Sequence, residues 1–371
     1  MRLASSARNS MELSNLVRVL KQYCSPHLAE TWDNVGLLVE PSPPHIVNSV
    51  MVTNDLTEPV LSEAISNSVN FVLSYHPPIF TPLKRITQTH WKERIVARCF
   101  ENRIAVFSPH TGLDAKKGGV NDWLISHFGN VLICHTELFP DCDCTRAIMP
   151  TPYKHEPSVA LRVALNGSIG RLLTMDGLCL SSIGASKSTC RIAEFKCAVR
   201  LLKDVSAQLN ELGVKIEEEL FLPQNDPLEG FGRLTTLRSA ISLSSVIESY
   251  KKLFGVERLL VALGDGRTLD DPVRTIAVCA GSGGSVLRDT VARSADVFVT
   301  GEMSHHERLD AVSSGISVIL AGHSVSERGY LVDRLVPELQ TLFDNVGHED
   351  IPGTTVSVKM SEVDREPGLL S

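Results

Sequence analysis

Four short apolar runs in this chain are each followed at once by histidine or carboxylate residues, and this pattern constrains the fold most. The runs are Phe71–Ser74, Ile104–Phe107, Val297–Thr300 and Ile316–Leu320. Short continuous apolar runs bounded by turn residues are typical of strands buried on both faces. Helical patterns lie between them, so we predict an α/β fold with mostly parallel strands and right-handed crossovers. Ligands bind beyond the carboxyl ends of the strands in such sheets.

The residues that follow these runs can bind metals or transfer protons. They are His76, His110, Asp114, Glu302, His305, His306, His323 and Glu327. Three residues separate His110 from Asp114, and the same spacing separates His323 from Glu327, which suggests two related halves around one central pocket. Mixed imidazole and carboxylate ligands favour Zn, Mn, Fe, Co or Ni over calcium. The alternative is a phosphate pocket without a metal.

A glycine-rich turn follows the strand predicted at Thr275–Ala280. Its residues are Gly281, Ser282, Gly283 and Gly284, and a helix is predicted to follow. Backbone N–H groups in such a turn can bind an anion, so we predict a phosphate nest there. The turn lacks the complete P-loop and dinucleotide-binding motifs, and an ordinary tight turn is the alternative.

Changes of pattern divide the chain into three parts. Residues 1–150 form the first α/β half, residues 151–232 an inserted small α+β domain of ferredoxin-like type, and residues 233–371 the second α/β half. The insert contains alternating apolar residues from Val159 to Leu165 and an amphipathic helix at Cys197–Leu212. We interpret it as a sensing, docking or lid element. The second half ends in an edge strand predicted at Thr354–Val358.

Composition excludes several classes of protein. The chain has 371 residues and a formal net charge of −7 without a Lys/Arg block, which argues against a non-specific nucleic-acid surface. No apolar run reaches the length of a membrane span. Nine scattered cysteines suit a reducing compartment. We therefore expect a cytoplasmic protein, with the nucleus as a second compartment. The composition of Met1–Met11 is also weakly typical of a mitochondrial transit peptide, for which a structureless start is the alternative.

Several sequence blocks resemble a known family. WDNVGLLVE, SYHPPIF, SPHTGLDAKKGGVND, TGEMSHHERLDA and GHSVSERG resemble the signature blocks of the NIF-three-like family (Ngg-one-interacting factor three), whose bacterial members are often labelled GTP cyclohydrolase I type 2 homologues. The resemblance implies that His76, Asp114, His323 and Glu327 hold a dinuclear metal centre. It also implies homo-oligomers, as dimers or trimers of dimers.

The chain departs from the prokaryotic pattern at one position. That pattern has two adjacent histidines before the proline, whereas this chain has Tyr75 and His76. A neutral phenol is a poor ligand, so we expect one tight metal site and a second that is weak or empty. Tyrosine at this position resembles the animal branch, which is linked with transcriptional corepression and a signalosome subunit.

Two functions follow from these observations. The first is a metal-dependent hydrolase of a nucleotide-like or phosphorylated small molecule, with His110 or His305 as a proton shuttle. The second is a non-catalytic adaptor, a transcriptional corepressor that acts through protein contacts.

Overall fold

The secondary structure is that of a mixed α/β protein, as predicted. The computed structural model describes residues 10–128, 145–150, 158–165, 178–185, 191–198, 202–211, 214, 216–221, 229–289, 292–350 and 356–368. Its strands are β1 (Met11–Glu12), β2 (Gly36–Val39), β3 (Ile46–Val47), β4 (Ser49–Thr53), β5 (Phe71–Ser74), β6 (Ala105–Ser108), β7 (Thr145–Pro150), β8 (Ser158–Leu165), β9 (Leu178–Ala185), β10 (Arg191–Ala198), β11 (Ile216–Phe221), β12 (Gly230–Ser242), β13 (Leu260–Ala262), β14 (Pro272–Ser282), β15 (Val297–Glu302), β16 (Ser317–Leu320) and β17 (Ser357–Met360). Its helices are α1 (Leu13–Tyr23), α2 (Glu58–Ser66), α3 (Trp91–Glu101), α4 (Thr111–Ala115), α5 (Val120–Ile125), α6 (Leu202–Glu211), α7 (Leu243–Phe254), α8 (His305–Ser313), α9 (Val325–Tyr330) and α10 (Val336–Asp350).

The chain forms two compact units. The first contains Met1–Gly112, Tyr153–Gln224 and Arg334–Asp364, and the second contains Leu113–Pro152, Asn225–Asp333 and Arg365–Ser371. The predicted part boundaries at residues 150 and 232, and the arrangement of the two halves around one pocket, stay predictions.

A five-stranded sheet forms the centre of the first unit. Its strand order is β17-β4-β5-β6-β2, in which β17, β4, β5 and β6 are parallel and β2 is antiparallel to β6. All four residues of β5 and of β6 are buried, as expected for strands covered on both faces. Apolar side chains from Leu61 on α2 and from Ile95 and Cys99 on α3 share one core with Val72 and Val106 of the sheet.

The C-terminal strand belongs to this first sheet. The structure confirms an edge strand near the predicted position, at Ser357–Met360, and it pairs in parallel with β4. Two further contacts fix the segment that follows: Ser361 donates a hydrogen bond to Glu63, and the Asn54 N–H donates one to Asp364 at 2.7 Å. The segment from β17 to Asp364 is therefore part of the first unit.

A second, antiparallel sheet of the first unit occupies the predicted insert. Its strand order is β11-β8-β10-β9, and α6 lies between β10 and β11 in the chain. The ferredoxin-like assignment of this segment stays a prediction.

The second unit is built on a six-stranded mixed sheet. The order is β13-β16-β15-β14-β12-β7; the central strands β14, β15 and β16 are parallel, and the outer strands are antiparallel to their neighbours. Such mixed sheets are common when outer strands are added to a parallel centre. All four residues of β16 are buried, and Phe298 and Val318 pack with Ala311 of α8 in one core.

Among the described residues, no helix is long and apolar enough to cross a bilayer. Residues 1–9, which hold most of the transit-peptide composition, lie outside the described residues.

Candidate metal centre

Three neighbouring parallel strands of the first unit are each followed by a polar residue, and these three residues form a polar cluster. Asp55 follows β4, His76 follows β5 and His110 follows β6. Because the strands are parallel, their carboxyl ends lie at the same edge of the sheet. The rings of His76 and His110 accordingly lie 5.2 Å apart, centre to centre. His76 and His110, two of the residues predicted to converge, do lie together at this edge.

His76 is held in a geometry that is typical of metal-binding histidines. Its Nδ1 atom lies 3.0 Å from Asp55 Oδ1. Histidines that bind a metal usually donate the other ring N–H to a carboxylate, which fixes the tautomer and the ring orientation. A proton on Nδ1 shared with Asp55 makes Nε2 the nitrogen that would ligate the metal.

The second unit repeats this arrangement. Glu302 is the last residue of β15, and its Oε1 atom lies 2.9 Å from Nδ1 of His323, which follows β16. The other ring nitrogen of His323, Nε2, lies 3.4 Å from Glu327 Oε1. Glu327 lies in α9 and is only 3% exposed. The spacing of three residues between His323 and Glu327 does bring the two side chains together.

His76, His323 and Glu327 form a group that could hold a metal ion. One ligand atom from each residue lies within 4.8 Å of the other two. Ligand atoms bound to one ion at about 2 Å lie at most about 4 Å apart, so small side-chain adjustments would bring these three atoms within reach of one ion. Two imidazoles and one carboxylate suit zinc and its neighbours in the transition series.

Gly281 provides space for two of these side chains. A Cβ atom at this position would lie 2.8 Å from Glu327 Oε1 and 3.2 Å from His323 Nε2, and the residue has φ +61°. Its N–H donates a hydrogen bond to Ser326 Oγ at 2.8 Å. The glycine is therefore explained by the close approach of the backbone to the candidate ligands.

Asp114 is not a member of the three-residue group, although it lies in the same electrostatic environment as Glu327. Burial raises the pKa of the Cys279 thiol, and the charges of Asp114 and Glu327 both raise it further. The charges of both carboxylates therefore raise the pKa of the same buried thiol. The role of Asp114 as a metal ligand stays a prediction.

His110 forms the best-defined acid–base pair of the first unit. Its Nδ1 atom lies 2.7 Å from Oδ1 of Asp33, whose side chain is completely buried. The other carboxylate oxygen accepts hydrogen bonds from the backbone N–H and the hydroxyl of Thr111. Burial raises the pKa of Asp33, but the hydrogen bonds from His110 and Thr111 outweigh it and hold that pKa below its usual value. The residue therefore stays ionised and fixes a proton on His110 Nδ1.

The remaining predicted site residues lie elsewhere in the second unit. His305 is the first residue of α8, is exposed, and contacts the ring of His306. Gly284 lies in the wall of a cavity of about 540 Å³ that Arg288, Arg293 and His306 also line. The proton-shuttle role of His305 and the phosphate nest at Gly281, Ser282, Gly283 and Gly284 stay predictions.

Sequence reasoning missed the roles of two carboxylates. Asp55 has the position of an ordinary turn former after a strand, and Asp33 lies in the turn before β2. Their histidine partners are 21 and 77 residues away in the chain. The available signal was that Asp55, like the histidines, follows a run that the sequence predicts as a strand, Val47–Thr53.

The chain is similar to known proteins along almost its whole length. A family model described as Duf34/NIF3 (NGG1p interacting factor 3) matches residues 11–367. NIF3-like protein 1 of Bos taurus is 42% identical over 98% of this chain and 93% of its own length. NGG1-interacting factor 3 of Saccharomyces cerevisiae is 27% identical, with 98% of each chain covered. Among solved structures, a Bacillus cereus protein related to NIF3 has a TM-score of 0.69 at 23% identity, over 97% of this chain and 99% of its own. At this level of identity, the structural similarity shows a shared fold.

Proposed function

Because the chain belongs to the Duf34/NIF3 family, we propose that it is a metal-dependent hydrolase acting on a nucleotide-like or phosphorylated small molecule. The observation that carries the proposal is the group formed by His76, His323 and Glu327. A divalent ion bound there would polarise a carbonyl or phosphoryl oxygen and lower the pKa of water. Asp55 and Glu302 would orient the two imidazoles through their Nδ1 atoms.

His110 is the residue that we propose to transfer the proton. Asp33 holds a proton on Nδ1, so Nε2 is the atom that would accept a proton from water or return one to a leaving group. The ring of His110 lies 5.2 Å from that of His76, which places an acid–base group beside a candidate metal ligand.

The test is hydrolysis of a panel of phosphorylated and nucleotide substrates by metal-loaded and chelated protein. We expect His110→Gln to reduce kcat by about 10²–10⁴-fold, the usual contribution of a general acid–base group, and to leave metal content unchanged. His27→Gln is the matched control, since His27 is an exposed histidine in the turn after α1 and belongs to neither the metal group nor the His110–Asp33 pair. Turnover that survives chelation would contradict the proposal.

We propose one tight metal site per chain, because Tyr75 occupies the position at which the prokaryotic pattern of the family has a second histidine. Tyr75 is fully buried, and its ring packs 5.2 Å from His76 and 5.9 Å from His110. Tyr75→His supplies a nitrogen donor there, so we expect it to raise the metal stoichiometry at limiting free metal, from one ion per chain toward two. Elemental analysis after gel filtration measures the change.

Tyr75→Phe is the control for that variant, since it retains the ring and removes the hydroxyl. We expect it to keep one ion. A wild-type protein that already holds two tightly bound ions, neither of which is lost in Tyr75→Phe, would show that the tyrosine does not limit the second site.

A non-catalytic adaptor, acting as a transcriptional corepressor through protein contacts, is the second candidate. It is supported by the yeast relative, whose name describes an NGG1-interacting factor. A corepressor should keep its partner binding in the Glu327→Gln variant, whereas a hydrolase should lose its activity. We also propose a homo-oligomer, a dimer or a trimer of dimers, which light scattering would measure.

A further inference from the structure

Two exposed aromatic rings lie beside His110 in the first unit. Trp32 is 58% exposed and Phe80 is 43% exposed, and their ring centres are 5.8 Å apart at an interplanar angle of 63°. Large apolar rings are stabilised by removal from water, so a pair of them at the surface beside a polar cluster is a candidate for ligand binding. The pair is called the aromatic pair below.

The backbone that carries the aromatic pair is fixed by hydrogen bonds on both sides of Trp32. Glu30 N donates to Thr111 Oγ1 at 3.0 Å, and Asp33 is held by His110 and Thr111. Asn34 then donates through Nδ2 to the carbonyl of Ile79, the residue before Phe80, at 2.5 Å. The Trp32 turn is thus tied to the loop that carries Phe80. Both ring-bearing segments are ordered in advance, which reduces the entropy lost when a ligand binds.

A polar edge adjoins the aromatic pair. The ring of His110 lies 6.2 Å from that of Trp32 and 6.5 Å from that of Phe80, inclined to them by 74° and 82°. His110 in turn lies 5.2 Å from His76. A flat ligand that stacks on one of the two inclined aromatic rings and meets the other at its edge would therefore lie beside an imidazole next to a candidate metal ligand.

We propose that Trp32 and Phe80 bind the planar ring of a heteroaromatic ligand, such as a nucleobase, with its polar edge toward His110. A heteroaromatic ring has a face for stacking and an edge that can form hydrogen bonds, and aromatic side chains stack on bases in this way. The proposal deepens the proposed function by naming the ring-bearing substrate class. It depends on the proposed function only in taking the bound ligand to be a substrate.

The small area of the aromatic pair argues against a contact with a second copy of the chain. An aromatic side chain presents roughly 150–250 Å², so two rings that are about half exposed offer on the order of 200 Å². A stable interface needs about 800 Å² from each partner. The neighbours Asp33, Asn34, His76 and His110 are polar, unlike the apolar centre of a dimer interface.

The test measures the affinity of the full-length protein for AMP and GMP, with ribose 5-phosphate as the probe that lacks the base, by calorimetry. We expect the nucleotides to bind at least tenfold more tightly than ribose 5-phosphate. We expect Trp32→Ala and Phe80→Ala each to remove most of this difference, and Trp32→Phe to retain it. Trp91→Ala is the matched control, since Trp91 is also exposed, at 39%, and packs against His90.

Three results would overturn the proposal: equal affinity for the nucleotides and for the probe that lacks the base, full nucleotide affinity in Trp32→Ala, or a change of oligomeric mass in Trp32→Ala without ligand. The last result would assign the aromatic pair to an interface between copies. Metal content and thermal midpoint are measured on each variant to confirm folding. Ring-dependent binding without any hydrolysis would leave this proposal intact and reject the hydrolase.

Discussion

Glu327→Gln is expected to lower the affinity for a divalent metal by more than about 100-fold, since loss of an outer-shell partner alone costs about 10–100-fold. Glu327 is 3% exposed, and its Oε1 atom lies 3.4 Å from Nε2 of His323. It supplies the negative charge in the three-residue group. Glutamine retains the volume of the side chain and removes that charge. Isothermal titration with Zn²⁺ and Mn²⁺ measures the loss.

A second variant is expected to give a smaller loss of metal affinity, and a third serves as the control. Glu302→Gln removes the carboxylate that orients His323 through Nδ1, so a loss of about 10–100-fold is expected. Glu307→Gln is the matched control, because that carboxylate caps α8 through Ser304. Wild-type affinity in Glu327→Gln would reject the proposed site, and a loss in Glu307→Gln would show that any nearby charge matters.

Gly281→Ala tests the same site through shape instead of charge. Its Cβ atom would intrude to 2.8 Å from Glu327 Oε1, so metal affinity should fall. Gly255→Ala provides the control for backbone strain: Gly255 has φ +65°, close to the +61° of Gly281, and nothing lies within 4 Å of its Cβ position. Both variants should lose about 1–3 kcal/mol of stability from the strained backbone, and only Gly281→Ala should lose metal.

The sequence predicted the strands of the candidate site well because their signal is local. Strands β5, β6, β15 and β16 are short apolar runs bounded by turn residues, and their parallel pairing follows from the helices between them. The pairing of His323 with Glu327 was also predictable, since residues four apart on a helical turn share one face.

Contacts between distant residues could not be predicted from local pattern. The partners of His76 and His110 are Asp55 and Asp33, and no local spacing connects these residues. The edge strand at the end of the chain was predicted, but the sheet that it joins was not, because β17 pairs with β4, about 300 residues earlier. A carboxylate after a strand has the same local sequence whether it forms a turn or orients a metal ligand.

Asp122→Ala is expected to destabilise the second unit by about 3–5 kcal/mol, the usual result of removing one partner of a buried ion pair. Arg233 is completely buried, and its Nε and Nη2 atoms donate to the two carboxylate oxygens of Asp122 at 2.7 and 3.0 Å. The guanidinium also donates to the backbone carbonyls of Gly230, Gly232 and Lys116. Without Asp122, the buried guanidinium would lose the carboxylate that binds it through two hydrogen bonds.

The consequence should extend to the candidate site, because α5 supports it. Asn121, next to Asp122, donates to the carbonyl of Asp114 at 3.0 Å and accepts from the Ala280 N–H at 2.9 Å. These two bonds connect the predicted ligand Asp114 to the strand that leads into Gly281. Loss of the ion pair should therefore lower metal affinity as well as stability, although Asp122 itself is not a ligand.

Urea unfolding at constant pH measures the stability loss, and the surface pair Glu248–Lys251 provides its control. The Glu248 side chain is 68% exposed, so Glu248→Ala should cost no more than about 1 kcal/mol. The double variant Asp122→Leu with Arg233→Met should recover much of the loss, because a well-packed apolar pair often replaces a buried ion pair without penalty. If Asp122→Ala costs no more than Glu248→Ala, the buried pair does not stabilise the second unit as the geometry indicates.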